Sequence, residues 1–468
     1  MPRSVATRLS RLRYGASGAA MTAALAATSI LLAGPASSET QQLPEDLAAH
    51  VASLGGEIVH PDAETIVMRV DGRDRVRLTG AEMNPDLAGG ALVLGAGDMI
   101  TILVPDGPRN IRVMDGAIAI APADAVDGGF AHRITGIFTL EVERPPLSSD
   151  PDADLSPIRL RATGFDATLR SRSDREGLAL GMDVAANEIA MLDGEPLGDR
   201  AAEGFTAARY ADVRLTFDGT RAPSDDSWLG TLAGATGPAQ ILDTTQGPPH
   251  RTSTLDQARF DMSADLDTVR MSGRIEGMTA TAPSGPGEAA VDVAAFDVSM
   301  PRAGGSSEMS LDLDGIAIPD RLRARIDPEG LVAREGANLR VALSAQTSGI
   351  DSASAAALTD TPVTLKDAEI SGFGVTLQAD GEIAPNLMFP PASTGAIDLR
   401  LSGLGSLVNT LGAASSQAGR SAAAQVAMIA TMARGYLTPD GSDVLSGTVA
   451  LDTGGVLTID GRPLGGGR

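Results

Sequence analysis

Apolar and polar side chains change places every second residue along much of this chain, the period of strands that bury one face. In Thr65–Val70, Ile66, Met68 and Val70 alternate with Thr65, Val67 and Arg69; Val76–Leu78 follows after Asp71-Gly72. Met99–Val104, Asn110–Met114, Ala117–Ala121 and Ile134–Val142 read as further strands. The pattern returns in Ala258–Leu266, with Phe260, Met262 and Leu266 on one side, and in Val269–Ile275, Val291–Met300, Met309–Ile318 and Leu339–Ala345. A strand pair is predicted over 368–383 around Gly372–Gly374. Residues 396–401 alternate cleanly, and a last hairpin joins Gly447–Leu451 to Val456–Asp460.

Ten Asp-Gly pairs punctuate the chain, at Asp71, Asp106, Asp115, Asp127, Asp193, Asp218, Asp314, Asp380, Asp440 and Asp460. Asp and Gly tolerate the positive φ of tight hairpins, so the pairs predict an antiparallel meander. A parallel sheet would need continuous apolar strands joined by long helices. Helical spacing is confined to three places. Leu47, Val51 and Leu54 mark Glu45–Leu54. Leu404, Leu407, Val408 and Leu411 mark a second helix, and Ala422, Val426, Ile429 and Ala433 a third. Ser224–Leu232, around Trp228, reads as a capped helix start. Residues 145–157 and 235–252 read as linkers. The predicted fold class is mainly β (β-rich α+β), with antiparallel curved sheets, Asp-Gly hairpins and a few helices. Two halves are expected, residues 39–250 and 251–468, the second with a helical insertion at 404–434.

The N-terminus departs from this pattern. Residues 1–14 are basic, 16–33 form an apolar run, and 34–38 are small with Pro35 among them. This is the order of a secretory signal, with a cut after Ser38, or after Ala36 or Ser37, and a periplasmic mature chain. A retained anchor is the rival reading, but 18 Ala-rich residues fall short of the roughly 20 strongly apolar ones a span prefers.

Composition narrows function more than it defines it. The chain carries −23; its first 38 residues hold four Arg and no acid, leaving 33 bases against 60 acids, or −27, after the cut. That field repels nucleic acid and anionic membrane surfaces. With no cysteine, disulfides, thiolate catalysis and Cys-ligated zinc are excluded. Lys366 is the only lysine, so any lysine chemistry must use it.

No nucleophile elbow, S-x-x-K, Walker loop, H-E-x-x-H or G-x-G-x-x-G after a strand occurs in the mature part. His50, His60, His132 and His250 are scattered and read as surface residues rather than metal ligands. Asp150, Asp152 and Asp154 begin like a calcium loop, but Leu155 replaces the turn glycine and Arg161 the bidentate Glu. One tryptophan gives poor support for paired-carboxylate chemistry on sugars. Met262, Met271, Met278, Met300 and Met309 suit ordinary core packing; a plastic apolar groove is the alternative. No catalytic, cofactor-binding or metal residue is nominated, no cofactor is expected, and the protein reads as a non-enzyme.

Gly395–Leu404 (GAIDLRLSGL) leads into helices, and these into a hairpin ending Gly455–Leu464 (GVLTIDGRPL). This order resembles the alphaproteobacterial exported family called domain of unknown function 2125, and more distantly the closing strands of AsmA-like envelope proteins. The first resemblance implies no activity. The second implies a long curved sheet with a groove for lipid acyl chains. Three functions are carried forward: an envelope protein binding an apolar ligand or lipid in a sheet-lined groove, an envelope scaffold binding protein partners, and a hydrolase, which no motif supports. No stable membrane span is expected after cleavage. The intact mass of the purified periplasmic protein is expected to start at Glu39; a mass that retains residues 1–38 refutes cleavage.

Overall fold

The computed structural model describes residues 52–463, apart from 53–55, 63, 71, 85–90, 105–106, 125–128, 144–156, 175–176, 193–205, 222–227, 244–250, 282–287, 348–361, 385–392 and 452–455. The export segment, the acidic loop Asp150–Asp154, His50, His250 and the Glu45–Leu54 helix (Ala52 aside) lie outside the described residues. The protein is mainly β, and it divides into two compact units, Met1–Gly247 and Pro248–Arg468.

The first unit contains β1 (Gly56–Asp62), β2 (Thr65–Val70), β3 (Arg73–Thr79), β4 (Glu82–Asn84), β5 (Ala91–Leu94), β6 (Met99–Val104), β7 (Gly107–Pro122), β8 (Phe130–Val142), β9 (Ile158–Asp174), β10 (Gly177–Leu192), β11 (Thr206–Arg221), β12 (Trp228–Thr236) and β13 (Ala239–Asp243). All pairings are antiparallel, in the order β1-β2-β3-β6-β7-β8-β9-β10-β11. The β4–β5 hairpin returns to β7, and β12 and β13 share the edge of β11.

The second unit contains β14 (Arg251–Leu255), β15 (Gln257–Ala264), β16 (Thr268–Thr281), β17 (Glu288–Pro301), β18 (Gly305–Ile316), α1 (Asp320–Ile326), β19 (Ala337–Thr347), β20 (Val363–Gly372), β21 (Val375–Ala384), β22 (Thr394–Ser402), α2 (Leu404–Gly412), α3 (Gln417–Tyr436), β23 (Thr438–Pro439), β24 (Val444–Leu451), β25 (Leu457–Ile459) and β26 (Arg462–Pro463). It is an antiparallel meander from β15 to β22 that continues through β24 to β26. Short α1 escaped the sequence reading.

Long strands keep one face inward by turning their pleat over partway. In β9, Leu160 and Ala162 are buried, then Phe165, Ala167 and Leu169, so the buried positions switch from even to odd. Gly164, at φ 58, lies at the switch. A Cβ there would stand 2.3 Å from the Asn187 amide on β10, so the position needs glycine. In β7 the buried residues run Ile111, Val113, then Ile118, Ile120, around Gly116 at φ 78. Such irregularities re-aim the side chains that follow.

This corrects the hairpin reading. The Asp-Gly pairs at Asp115, Asp218, Asp314 and Asp380 lie inside strands, whereas Gly72, Gly441 and Gly461 sit in turns. Asn110–Met114 and Ala117–Ala121 are therefore one strand. Three further predictions give way. Trp228 begins a strand rather than lying in a helix start, and 235–252 includes strand β13. Leu266 lies in the turn after β15, 73% exposed, rather than on the strand face.

The two units bury their side chains differently. In the first, Ile66, Val67 and Met68 are each at most 2% exposed, so β2 is covered on both faces, and Val67 does not face outward as its alternation predicted. Phe138 and Phe165 meet edge to face at 5.3 Å. In the second unit, no described strand residue from β14 to β22 is fully buried. Leu78→Ala, at a fully covered site, is expected to cost about 2–5 kcal/mol in urea unfolding; Leu343→Ala, on the half-covered sheet, about 1 kcal/mol or less. Equal losses would contradict this difference in burial.

Candidate functional site

Cross-strand register gathers the alternating apolar residues of the second unit onto one face. Met262 pairs with Met271, Met271 with Val298, Val298 with Met309, and Met309 with Leu343. The same line continues from Leu343 to Leu365, and beyond Gly381 to Ile397 and Val449. Residues paired across antiparallel strands point to the same side of a sheet, so this line crosses β15–β22 and β24, with Gly381 adding no side chain of its own. The opposite side is polar, with Arg259 beside Arg274 and Asp261 beside Ser272. Arg274–Glu276 (2.6 Å), Arg340–Asp312 (2.8 Å) and Lys366–Glu308 (2.5 Å) are ion pairs.

The apolar face is only partly covered. Met271 is 39% exposed, Met309 45% and Ile370 52%. The expectation that the methionines are core residues is thus corrected: Met262, Met271 and Met309 are surface side chains in an apolar row, and Met278, 36% exposed, is a surface side chain as well. Flexible thioethers there can repack around differing apolar shapes.

One end of the face is closed. Leu404, Leu407 and Leu411 of α2 and Val426 and Ala430 of α3 form a buried cluster, and Phe373 of the β20–β21 turn and Val375 and Leu401 of the sheet pack against it. Ala430 takes the inward place expected of Ile429, which is 56% exposed. Each helix start is held by a carboxylate from elsewhere in the chain. Asp443 accepts from the Gly405 amide (2.6 Å), the Ser406 amide (2.9 Å) and the Ser406 hydroxyl (2.7 Å), where Gly403 has no capping side chain. Glu329 accepts from the amides of Ser415 (3.0 Å) and Ser416 (2.7 Å), while the Ser416 hydroxyl caps Gly419 (3.0 Å). These carboxylates satisfy amides that a helix start leaves open and favour the positive end of its dipole.

Among the described residues, the other sequence candidates do not assemble into chemistry. His60 lies in β1 and His132 is buried in β8, not at the surface as expected. Among the described residues, no group of three His, Asp or Glu could hold a metal. Lys366 is paired with Glu308 on the polar side. An open cleft of about 240 Å³ is lined by Ser306, Ser344, Gln346, Thr364 and Glu382 among others; these polar groups lie on the face opposite the methionine row, so the cleft is no continuation of it. No single residue could have signalled the site, because it is a property of the paired strands.

The fold and face define a mainly β protein whose second unit displays an apolar sheet surface that is partly exposed among the described residues. No family model, curated protein or solved structure matches the chain.

The Ser416 hydroxyl and the Ser415 and Ser416 amides push the Glu329 carboxyl down to about 2. A carboxyl lowered on folding contributes stability that is full above its unfolded value and lost as pH falls through the folded one. Between pH 4.5 and about 2 the docking of α3 is expected to weaken, and Glu329→Gln to flatten that dependence in helical circular dichroism. An unchanged acid profile in the variant refutes the clamp.

Proposed function

We propose that the protein is a non-catalytic periplasmic envelope protein that binds an apolar ligand, a lipid acyl chain above all, along the apolar face of its second unit. The observation that carries this reading is the partly exposed row from Met262 to Val449, most open at Met262, Met271 and Met309. Soluble proteins seldom leave a large contiguous apolar surface open unless something binds there. Neighbouring strands lie about 4.8 Å apart, so the row spans about 40 Å across the sheet. The acyl region of one leaflet is about 15 Å deep, half of a bilayer core, so a whole lipid tail fits along it. The resemblance of Gly395–Leu404 and Gly455–Leu464 to AsmA-like closing strands points the same way.

Native mass spectrometry of the protein purified from periplasm is expected to show co-purified lipid. Met309→Asp and Leu343→Asp, which place charge on a paired point of the row, are expected to remove it while leaving the β-sheet circular dichroism intact. A bare protein mass, or lipid retained in both variants, overturns the proposal.

A further inference from the structure

Helix α3 turns a second apolar surface away from the sheet. Its inward side carries Gly419, Ala422, Val426 and Ala430. On another side, Met428 is 58% exposed, Ile429 56%, Met432 59% and Tyr436 37%. At 100° per residue these four form one stripe centred well away from Val426. Nothing charged lies within it: the helix's two arginines, Arg420 and Arg434, fall on the other flank. Arg420 donates to the Ser415 carbonyl (2.6 Å), and Arg434 lies close enough to Asp443 to favour its ionised form.

The surrounding composition is equally unusual for this chain. Residues 399–439 contain no aspartate or glutamate, although the whole has 60 acids in 468 residues. Beyond the export segment, the apolar stripe therefore sits in the longest acid-free stretch of the chain, where the segment's own side chains add no repulsion from an anionic or dipolar surface. A stable protein interface draws about 800 Å² from each partner. Four side chains in a line one helix wide fall short of that. A lipid headgroup boundary, in contrast, accepts such a stripe lying in its plane, and a tyrosine at the end suits the junction between tails and headgroups.

We infer that α3 docks the protein onto a phospholipid bilayer surface through Met428, Ile429, Met432 and Tyr436. The contact is apolar rather than ionic, since the chain as a whole carries −23. It stands whether or not the sheet face carries a lipid.

Flotation of the full mature protein with phosphatidylcholine vesicles tests the contact, repeated with added phosphatidylglycerol. The wild type is expected to float with phosphatidylcholine, and less well as the anionic lipid increases. Ile429→Asp combined with Met432→Asp is expected to weaken binding about tenfold or more, roughly the value of one large apolar side chain returned to water. The milder Met428→Ser with Met432→Ser keeps the test open should the charged pair disturb folding. A wild type that stays at the bottom, or variants that float as well as it does, overturns the inference. So does a dimer in analytical ultracentrifugation that the variants dissolve in the absence of flotation, because the stripe is then a self-interface. Lipid co-purified with the stripe variants in native mass spectrometry separates this contact from the sheet-face proposal: retained lipid leaves that proposal standing whatever flotation shows.

Discussion

Backbone pairing between successive antiparallel strands is the interaction on which the second unit depends. From β15 to β24 each strand hydrogen-bonds its neighbour along most of its length. Side-chain burial cannot take over that task, since no described strand residue from β14 to β22 is fully covered. Open sheet of this kind is held by its ladder, by cross-strand contacts of partly covered side chains, and by the well-packed cluster under α2 and α3. The first unit shares the strand chemistry but not the arrangement: there Met68, Val76, Leu78, Leu92 and Leu94 are sealed off completely.

That contrast gives the two units different uses. A sealed core stabilises and offers no surface. A half-covered apolar face loses part of its hydrophobic stabilisation and keeps a place for another apolar molecule. The helical pair sits where the two demands meet. Its inward side closes one end of the sheet face, and its start is pinned by Asp443 and Glu329, carboxylates from segments distant in the chain. With the helices fixed to the sheet in this way, the outward stripe of α3 has a defined direction.

Much of the architecture was legible in the residues. Alternation marked the strands around Phe260, Met271, Leu311 and Leu399, and helical spacing found Leu404, Leu407 and Leu411 as well as Val426. It failed where a strand changes phase. The three longest strands after β8, Ile158–Asp174, Gly177–Leu192 and Thr206–Arg221, went unmarked. In the first of them Gly164 moves the buried positions from even to odd, so period two does not persist over its length. The same effect made Asp115-Gly116 look like a turn. A dipeptide that permits positive φ allows either a hairpin or a kink within a strand, and its own residues do not choose between them.

The amino-acid order by itself determined that the chain is mainly β, that its strands pair antiparallel, and that the strands it marked in the second unit have an oily and a polar side. These are local properties, set by side-chain period and by the few conformations each backbone position allows. Only the tertiary structure decided what covers each oily side. Met68 and Met309 occupy similar alternating runs, yet one is sealed at 0% exposure and the other open at 45%. The difference comes from what lies across from them, and that is set by the packing of distant segments, which no window of neighbouring residues contains.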